Sequence, residues 1–340
     1  MAKKYAFWNN KGGTGKTSLA FQCITKYAED HPEERILAID VCPQANLSEL
    51  FLGGLNFKGS EKLLARHGLI PRCSVGGYFQ LRLPSPYTVP VFSPDDFITH
   101  PKDQNAAVPN NIDLVCGDPL LELQSNAVNT LANNQIPGSN PWIEVIDWLR
   151  DFIEKIEYRY DAIFFDCNPS FSLYTQIALS ASDLLVLPVM ADDSSRRAIQ
   201  NAFSLVYGLK LPSDIYLAFA FATKLRDAGR DLPKVHLIIK NRLTQYMGAA
   251  SAYAAVLSAI EWDIDALIKT NPDIFNFSKS SEGFTEMRDF GTTGVVAFAK
   301  GQPLSQVAVG KQTVNGHRVE VKLDYLKNAR DALEITTARL

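Results

Sequence analysis

The stretch Lys11-Gly12-Gly13-Thr14-Gly15-Lys16-Thr17 constrains this chain more than any other. It joins an apolar run, Tyr5-Ala6-Phe7-Trp8, to a helical pattern that begins Ser18-Leu19-Ala20-Phe21. A strand, a glycine-rich turn and a helix in that order make a phosphate-binding loop. Gly12, Gly13 and Gly15 carry no Cβ, so successive backbone N–H groups can turn inward toward a polyphosphate. The helix start, with Ser18 in its first turn, adds unpaired donors and a partial positive charge. Lys16 is placed to reach the β- and γ-phosphates, and the Thr17 hydroxyl to complete a Mg²⁺ shell. The plain alternative, a glycine-rich turn with a surface lysine, leaves the coincidence of strand, glycines, Lys-Thr pair and helix unexplained.

Beyond the loop, apolar runs alternate with helical periodicity, the pattern of a doubly wound α/β domain. Arg35-Ile36-Leu37-Ala38-Ile39-Asp40 reads as a buried parallel strand whose end delivers a carboxylate beside the loop. Tyr160-Asp161-Ala162-Ile163-Phe164-Phe165-Asp166 repeats that shape, with Asp166 placed to hold Mg²⁺ through water. Further strands are expected at 112–116, 184–189, 215–222 and 235–239, and helices at 142–157, 173–182 and 323–338. Trp142 and Trp148 read as core. The expected fold is α/β: a mainly parallel sheet flanked by helices, one domain across 1–340. Residues 53–111 show little periodicity and read as a family-variable insertion of unassigned role.

The loop departs from G-x-x-x-x-G-K-[ST]. Asn10 stands where the first glycine belongs, and a second lysine, Lys11, heads the motif. In this the chain resembles the ParA/MinD family of dimerising ATPases, with ParA-type partition ATPases nearest. Val41-Cys42-Pro43-Gln44-Ala45-Asn46 resembles the family's first switch, D-x-D-P-Q-G-N. Cys167-Asn168-Pro169-Ser170 resembles its second, D-x-P-P-S, with Asn168 for the first proline. Asn241 stands where members place an Asn that reads the adenine edge; a plain turn residue is the other reading. Gly301-Gln302-Pro303-Leu304 resembles the C-terminal part, and the likeness leaves gaps at 53–111 and 245–285. The resemblance implies ATP and Mg²⁺ as cofactors, with Thr17, Asp40 and Asp166 around the metal. It also implies a homodimer with ATP sandwiched at its interface, in which Lys11 reaches the partner's ATP.

One position breaks the implied chemistry. The family's water-activating Asp corresponds here to Cys42, and a thiol is a weak acceptor, mostly neutral at pH 7. Slow intrinsic ATP hydrolysis with intact binding is expected, unless a partner or a group such as Asp40 compensates. A redox-sensing thiol is the rival account of Cys42.

Partners follow from charge. The chain of 340 residues carries a net charge of −3, so nucleic-acid binding needs a local patch. From Asp192 to Arg242, nine basic residues face five acidic ones. That surplus either tracks nonspecific DNA or marks solvated faces. A ParB-like or cargo adaptor is the expected protein partner. A MinD-like membrane helix is disfavoured, since Asp324, Asp331 and Glu334 offset the basic residues of the last helix. A cluster-bridging electron-transfer relative is disfavoured by the setting of Cys116 and Cys167. Five scattered cysteines, no leader-like start, no 18-residue apolar run and no helix-turn-helix before the loop suggest a cytoplasmic protein without operator binding.

Overall fold

The computed structural model describes residues 2–243 and 251–340. The first half runs β1 (Lys3–Phe7), α1 (Lys16–Asp30), β2 (Ile36–Val41), α2 (Asn46–Phe51), α3 (Gly59–His67), α4 (Val75–Arg82), β3 (Ile98–Thr99), β4 (Ile112–Val115), α5 (Leu120–Ala132), α6 (Pro141–Ile146), α7 (Trp148–Glu154) and β5 (Ala162–Cys167). The second runs α8 (Leu173–Ser180), β6 (Leu184–Val189), α9 (Asp193–Tyr207), α10 (Phe221–Asp227), β7 (Lys234–Leu243), α11 (Ser251–Thr270), α12 (Ser280–Gly283), β8 (Phe284–Arg288), α13 (Gly291–Lys300), β9 (Gly310–Val314), β10 (His317–Val321) and α14 (Leu323–Thr337).

Among the described residues the main sheet has the order β3-β4-β2-β5-β1-β6-β7-β8, parallel except for β3, which runs antiparallel to β4. β1 is central because both of its faces are apolar. Tyr5 and Phe7 join the layer built from α1, α13 and α14, while Ala6 and Trp8 join the layer built from α4 to α9. The same alternation splits β5, where Ala162 and Phe164 face one layer and Ile163, Phe165 and Cys167 the other. The loop after β1 therefore opens at the C-terminal edge of the sheet, where open α/β folds bind ligands.

Residues 53–111, where periodicity is weak, carry regular elements: α3, α4 and the edge strand β3 pack on the end of β4. Arg72 forks Asp118 through Nε at 2.5 Å and Nη2 at 2.8 Å, the Leu120 N–H donates to the same carboxylate at 2.9 Å, and Ser74 adds its hydroxyl. Ser74 caps α4 by accepting from the Gly77 N–H at 3.0 Å. Gly76 and Gly77 hide this helix from periodicity, and both are required. A Cβ at Gly76 would stand 2.7 Å from the Asp118 side chain, and one at Gly77 would stand 1.9 Å from the Arg72 carbonyl oxygen.

The strand expected at 215–222 is a 3-10 turn over Asp214–Phe219 followed by α10. β6 pairs directly with β7, so no edge is left for it, and Ile215, Tyr216 and Phe219 stay exposed. The helix expected at 142–157 is broken at Asp147, which stands at the start of α7 and turns its carboxylate to Arg150 and Arg230. Trp142 and Trp148 are buried, as expected of core residues.

Asp118 is fully buried, and its charge is met by Arg72. Arg72→Ala should cost about 3 kcal/mol of folding stability, because a buried carboxylate loses its cation. Denaturant titration of both proteins measures it; an unchanged midpoint would show that the pair does not dock α4.

Candidate nucleotide-binding site

The loop is tied down before it turns. Asn9 donates to the Pro188 carbonyl at 2.8 Å and accepts from the Lys11 N–H at 2.9 Å, pinning the loop entrance to the end of β6. Gly13 and Gly15 have φ of 75° and 76°, the left-handed region that a side chain resists, and Gly15 caps α1. Lys16 is buried and donates to the Lys11 carbonyl at 3.2 Å, so its ammonium sits inside the loop. Burial lowers its pKa, and the charge of Asp166 acts in the opposite sense.

Asp40 and Asp166 lie side by side in register on β2 and β5, and their surroundings differ. Asp40 accepts from the Cys42 N–H at 3.2 Å, the Ser48 N–H at 3.0 Å and the Ser48 hydroxyl at 2.7 Å. Its oxygens are thus committed to the turn that follows β2. Both oxygens of Asp166 are buried and receive no well-formed hydrogen bond, although the neighbouring Thr17 hydroxyl and Lys16 ammonium favour its charged form. Burial raises the pKa of each carboxyl, and the charge of Asp166 raises that of Asp40 further. A buried carboxylate with open lone pairs beside a hydroxyl fits a hard divalent cation such as Mg²⁺.

Cys42 is 8 % exposed. Burial first, and then the charges of Asp40 and Asp166, push its thiol up to about 12, so it holds its proton at any physiological pH. The Asn168 amide approaches its sulfur at 3.8 Å.

Lys11 points away from Lys16. Its ammonium meets both oxygens of Asp192, at 2.6 and 2.7 Å, and the Ser195 hydroxyl at 3.1 Å. Asp192 also caps α9 by accepting from the Ser195 N–H at 2.7 Å. Burial acts against its charge, but Lys11 and the cap hydrogen bonds win and bring its carboxyl to about 2.

Beside the loop lies a hollow of about 280 Å³ lined by Gly15, Ser18, Asn241, Asp289, Phe290 and Phe298. Asn241 is buried, and its side-chain N–H donates to the Thr14 carbonyl at 2.7 Å, bracing the loop from the end of β7. Asp289, Phe290 and Asp192 were not visible as site residues, because their elements reach the loop only through the sheet order. The hollow of about 780 Å³ bounded by Asp183 and Lys234 lies at the other end of β6 and β7; it holds none of the expected nucleotide or metal residues, but Arg226, Arg230 and Lys234 of the basic surplus line it.

The basic surplus is partly spent. Arg196 pairs with Asp263 at 2.8 Å, Arg230 with Asp147 at 2.6 Å and Lys240 with Glu261 at 2.5 Å. Lys224 lies over the Trp142 ring at 4.7 Å. Among the described residues, no helix is long and apolar enough to cross a membrane.

A family model described as an AAA domain matches residues 2–213. The sporulation initiation inhibitor protein Soj of Bacillus subtilis is 27 % identical over 194 residues, covering 56 % of this chain and 60 % of Soj. The chain spans about half the length of the curated relatives it matches. Among solved structures, a Cyanothece McdA variant in complex with ATP superposes with a TM-score of 0.59 at 15 % identity, covering 98 % of this chain and 96 % of that one. A plasmid partition protein of Borrelia burgdorferi superposes with a TM-score of 0.53 at 18 % identity, with both chains fully covered. At these identities the two structures establish a shared fold.

The paired carboxylates set a pH dependence. Because their folded pKa values lie above those of the unfolded chain, the folded state holds more protons on this pair, and the pair's contribution to stability falls as pH rises above about 4. The thermal midpoint of metal-free Asp166→Asn should therefore gain on that of the wild type as pH rises toward neutral. Equal slopes in the two proteins would show that the pair ionises without cost.

Proposed function

This chain belongs to the AAA domain family and, within it, to the ParA/MinD group of P-loop ATPases, and from that premise we propose that it is an ATP-dependent dimerising switch that partitions or positions a cargo. The observation that carries the reading is the buried Asp166 carboxylate, open to a cation, beside Thr17 and the enclosed Lys16. The N–H groups of Gly12, Gly13, Thr14 and Gly15 cradle the phosphate chain, and Lys16 draws charge from the γ-phosphate. Thr17 and Asp166 would hold Mg²⁺, which would supply charge neutralisation to the phosphates. Asp40 keeps the turn after β2 in place by accepting three hydrogen bonds from Cys42 and Ser48, which leaves it fewer open acceptor sites than Asp166.

Cys42 supplies no base at the position where the family orients water. Losing such a group costs roughly 10²- to 10⁴-fold in rate, or about 3 to 5 kcal/mol of barrier. Binding and dimerisation need not suffer, so the protein dwells in its ATP state. Lys11 is held in cis by Asp192 and must leave that carboxylate before it reaches a partner's nucleotide. The ATP dimer binds nonspecific DNA through cations not already paired, and a ParB-like or cargo adaptor releases it, which would place the protein on the nucleoid. The neutralised Arg196, Arg230 and Lys240 favour a second reading, a nucleotide-dependent regulator that makes no DNA contact.

Lys16→Ala should abolish ATP binding in calorimetry, whereas Lys11→Ala should keep monomer binding and lose the ATP-dependent dimer in light scattering. Wild-type affinity in Lys16→Ala would sink the reading. Cys42→Asp should raise steady-state turnover by about 10²-fold or more without changing ATP affinity. Brisk turnover in the wild type would mean that another residue orients the water.

A further inference from the structure

We infer that Arg242 is a nucleotide-contacting cation whose guanidinium holds the α-phosphate end of the bound nucleotide; the inference rests on the ATP-binding reading above. Its backbone is the first sign. β7 pairs with β8 at Lys240 opposite Glu286 and again at Leu243 opposite Arg288, so three steps on β7 answer two on β8. The extra residue is a β-bulge at Asn241 and Arg242, a device that re-aims side chains beside active sites. Arg242 sits there with φ of 59°, in the left-handed region where a bulge ordinarily carries glycine. Strained backbone of this kind persists where surrounding structure enforces it, and it collects at ligand sites.

The side chains show what the bulge achieves. Asn241 braces Thr14 at 2.7 Å, and the Arg242 guanidinium lies over the next residue of the loop. A Cβ at Gly15 would be 3.3 Å from Arg242 Nε and 3.7 Å from Nη2. Arg242 is exposed and, among the described residues, has no hydrogen bond or ion pair, unlike Lys240 two residues earlier. An unpaired cation has thus been turned from the basic surface onto a phosphate loop. Its position selects the phosphate. The Lys16 ammonium reaches inward to the Lys11 carbonyl and the charge of Asp166, where the γ-phosphate belongs, whereas the Gly15 backbone borders the hollow of Asn241 and Phe290 that suits the base. The α-phosphate falls between them, within reach of a guanidinium, which forks two phosphate oxygens.

The test is calorimetry of Mg-ATP and Mg-ADP with the full chain as wild type, Arg242→Gly and Arg242→Lys, beside thermal midpoints without nucleotide. Arg242→Gly should weaken ATP and ADP alike, by about tenfold or more, and Arg242→Lys should recover part of that. The nucleotide-free midpoint of Arg242→Gly should match or exceed the wild type, since glycine accepts the left-handed backbone. Equal affinities in wild type and Arg242→Gly would overturn the inference. So would a loss confined to ATP, which would put the guanidinium at the γ-phosphate. A lowered midpoint with Arg242→Lys no better than Arg242→Gly would make the residue structural and overturn it too. A wild type that binds neither nucleotide would remove the ATP reading itself.

Discussion

Two carboxylates share the C-terminal ends of adjacent parallel strands, and the fold can keep them buried only by treating them differently. Two like charges in a low-dielectric core repel each other and resist ionisation. Asp40 resolves its half by accepting three hydrogen bonds from the turn after β2. Asp166 receives none of good geometry, and its oxygens stay open. The site's arrangement follows from that division: one carboxylate organises protein, and its neighbour stays available to ligand.

The committed carboxylate also links the site to the segment that looked like an insertion. The Ser48 hydroxyl donates to Asp40 and accepts from the Gly117 N–H at 2.8 Å, and the Gly117 carbonyl meets His67 at 2.8 Å. Gly117 has no room for a side chain, since a Cβ there would be 2.7 Å from the Cys42 carbonyl oxygen and 2.8 Å from the Asp40 carboxyl carbon. The end of β4, the turn after β2 and the end of α3 are therefore packed as one piece.

The other lysine of the loop is held by a carboxylate outside it. In the single chain Lys11 neutralises Asp192 and steadies the start of α9. The ion pair is partly exposed, so its hold is modest beside the charge of a nucleotide. A cation stored this way is available to a second chain without leaving a buried charge behind, because Asp192 keeps its bonds to Ser194 and Ser195.

How much was legible depended on whether the information was local. The phosphate loop, the two strands ending in Asp40 and Asp166, and the mainly parallel sheet could be read from contiguous residues, because glycine spacing and unbroken apolar runs are properties of short stretches. α4 could not, since Gly76 and Gly77 make sense only once Asp118 and Arg72 crowd them. Nor could the exposed turn at 214–219, whose apolar residues look like a strand until β6 and β7 are found already paired. At the site, residue types and spacing determined that a polyphosphate and a metal could be held and that Cys42 would be a poor base. The third dimension decided the rest: that Asp40 is spoken for, that Lys11 rests on Asp192, and that a bulge aims Arg242 at Gly15. The Asp40 contacts close within one turn, but Lys11 and Asp192 stand 181 positions apart and Asn241 and Thr14 227, and only the order of strands in the sheet brings such residues together.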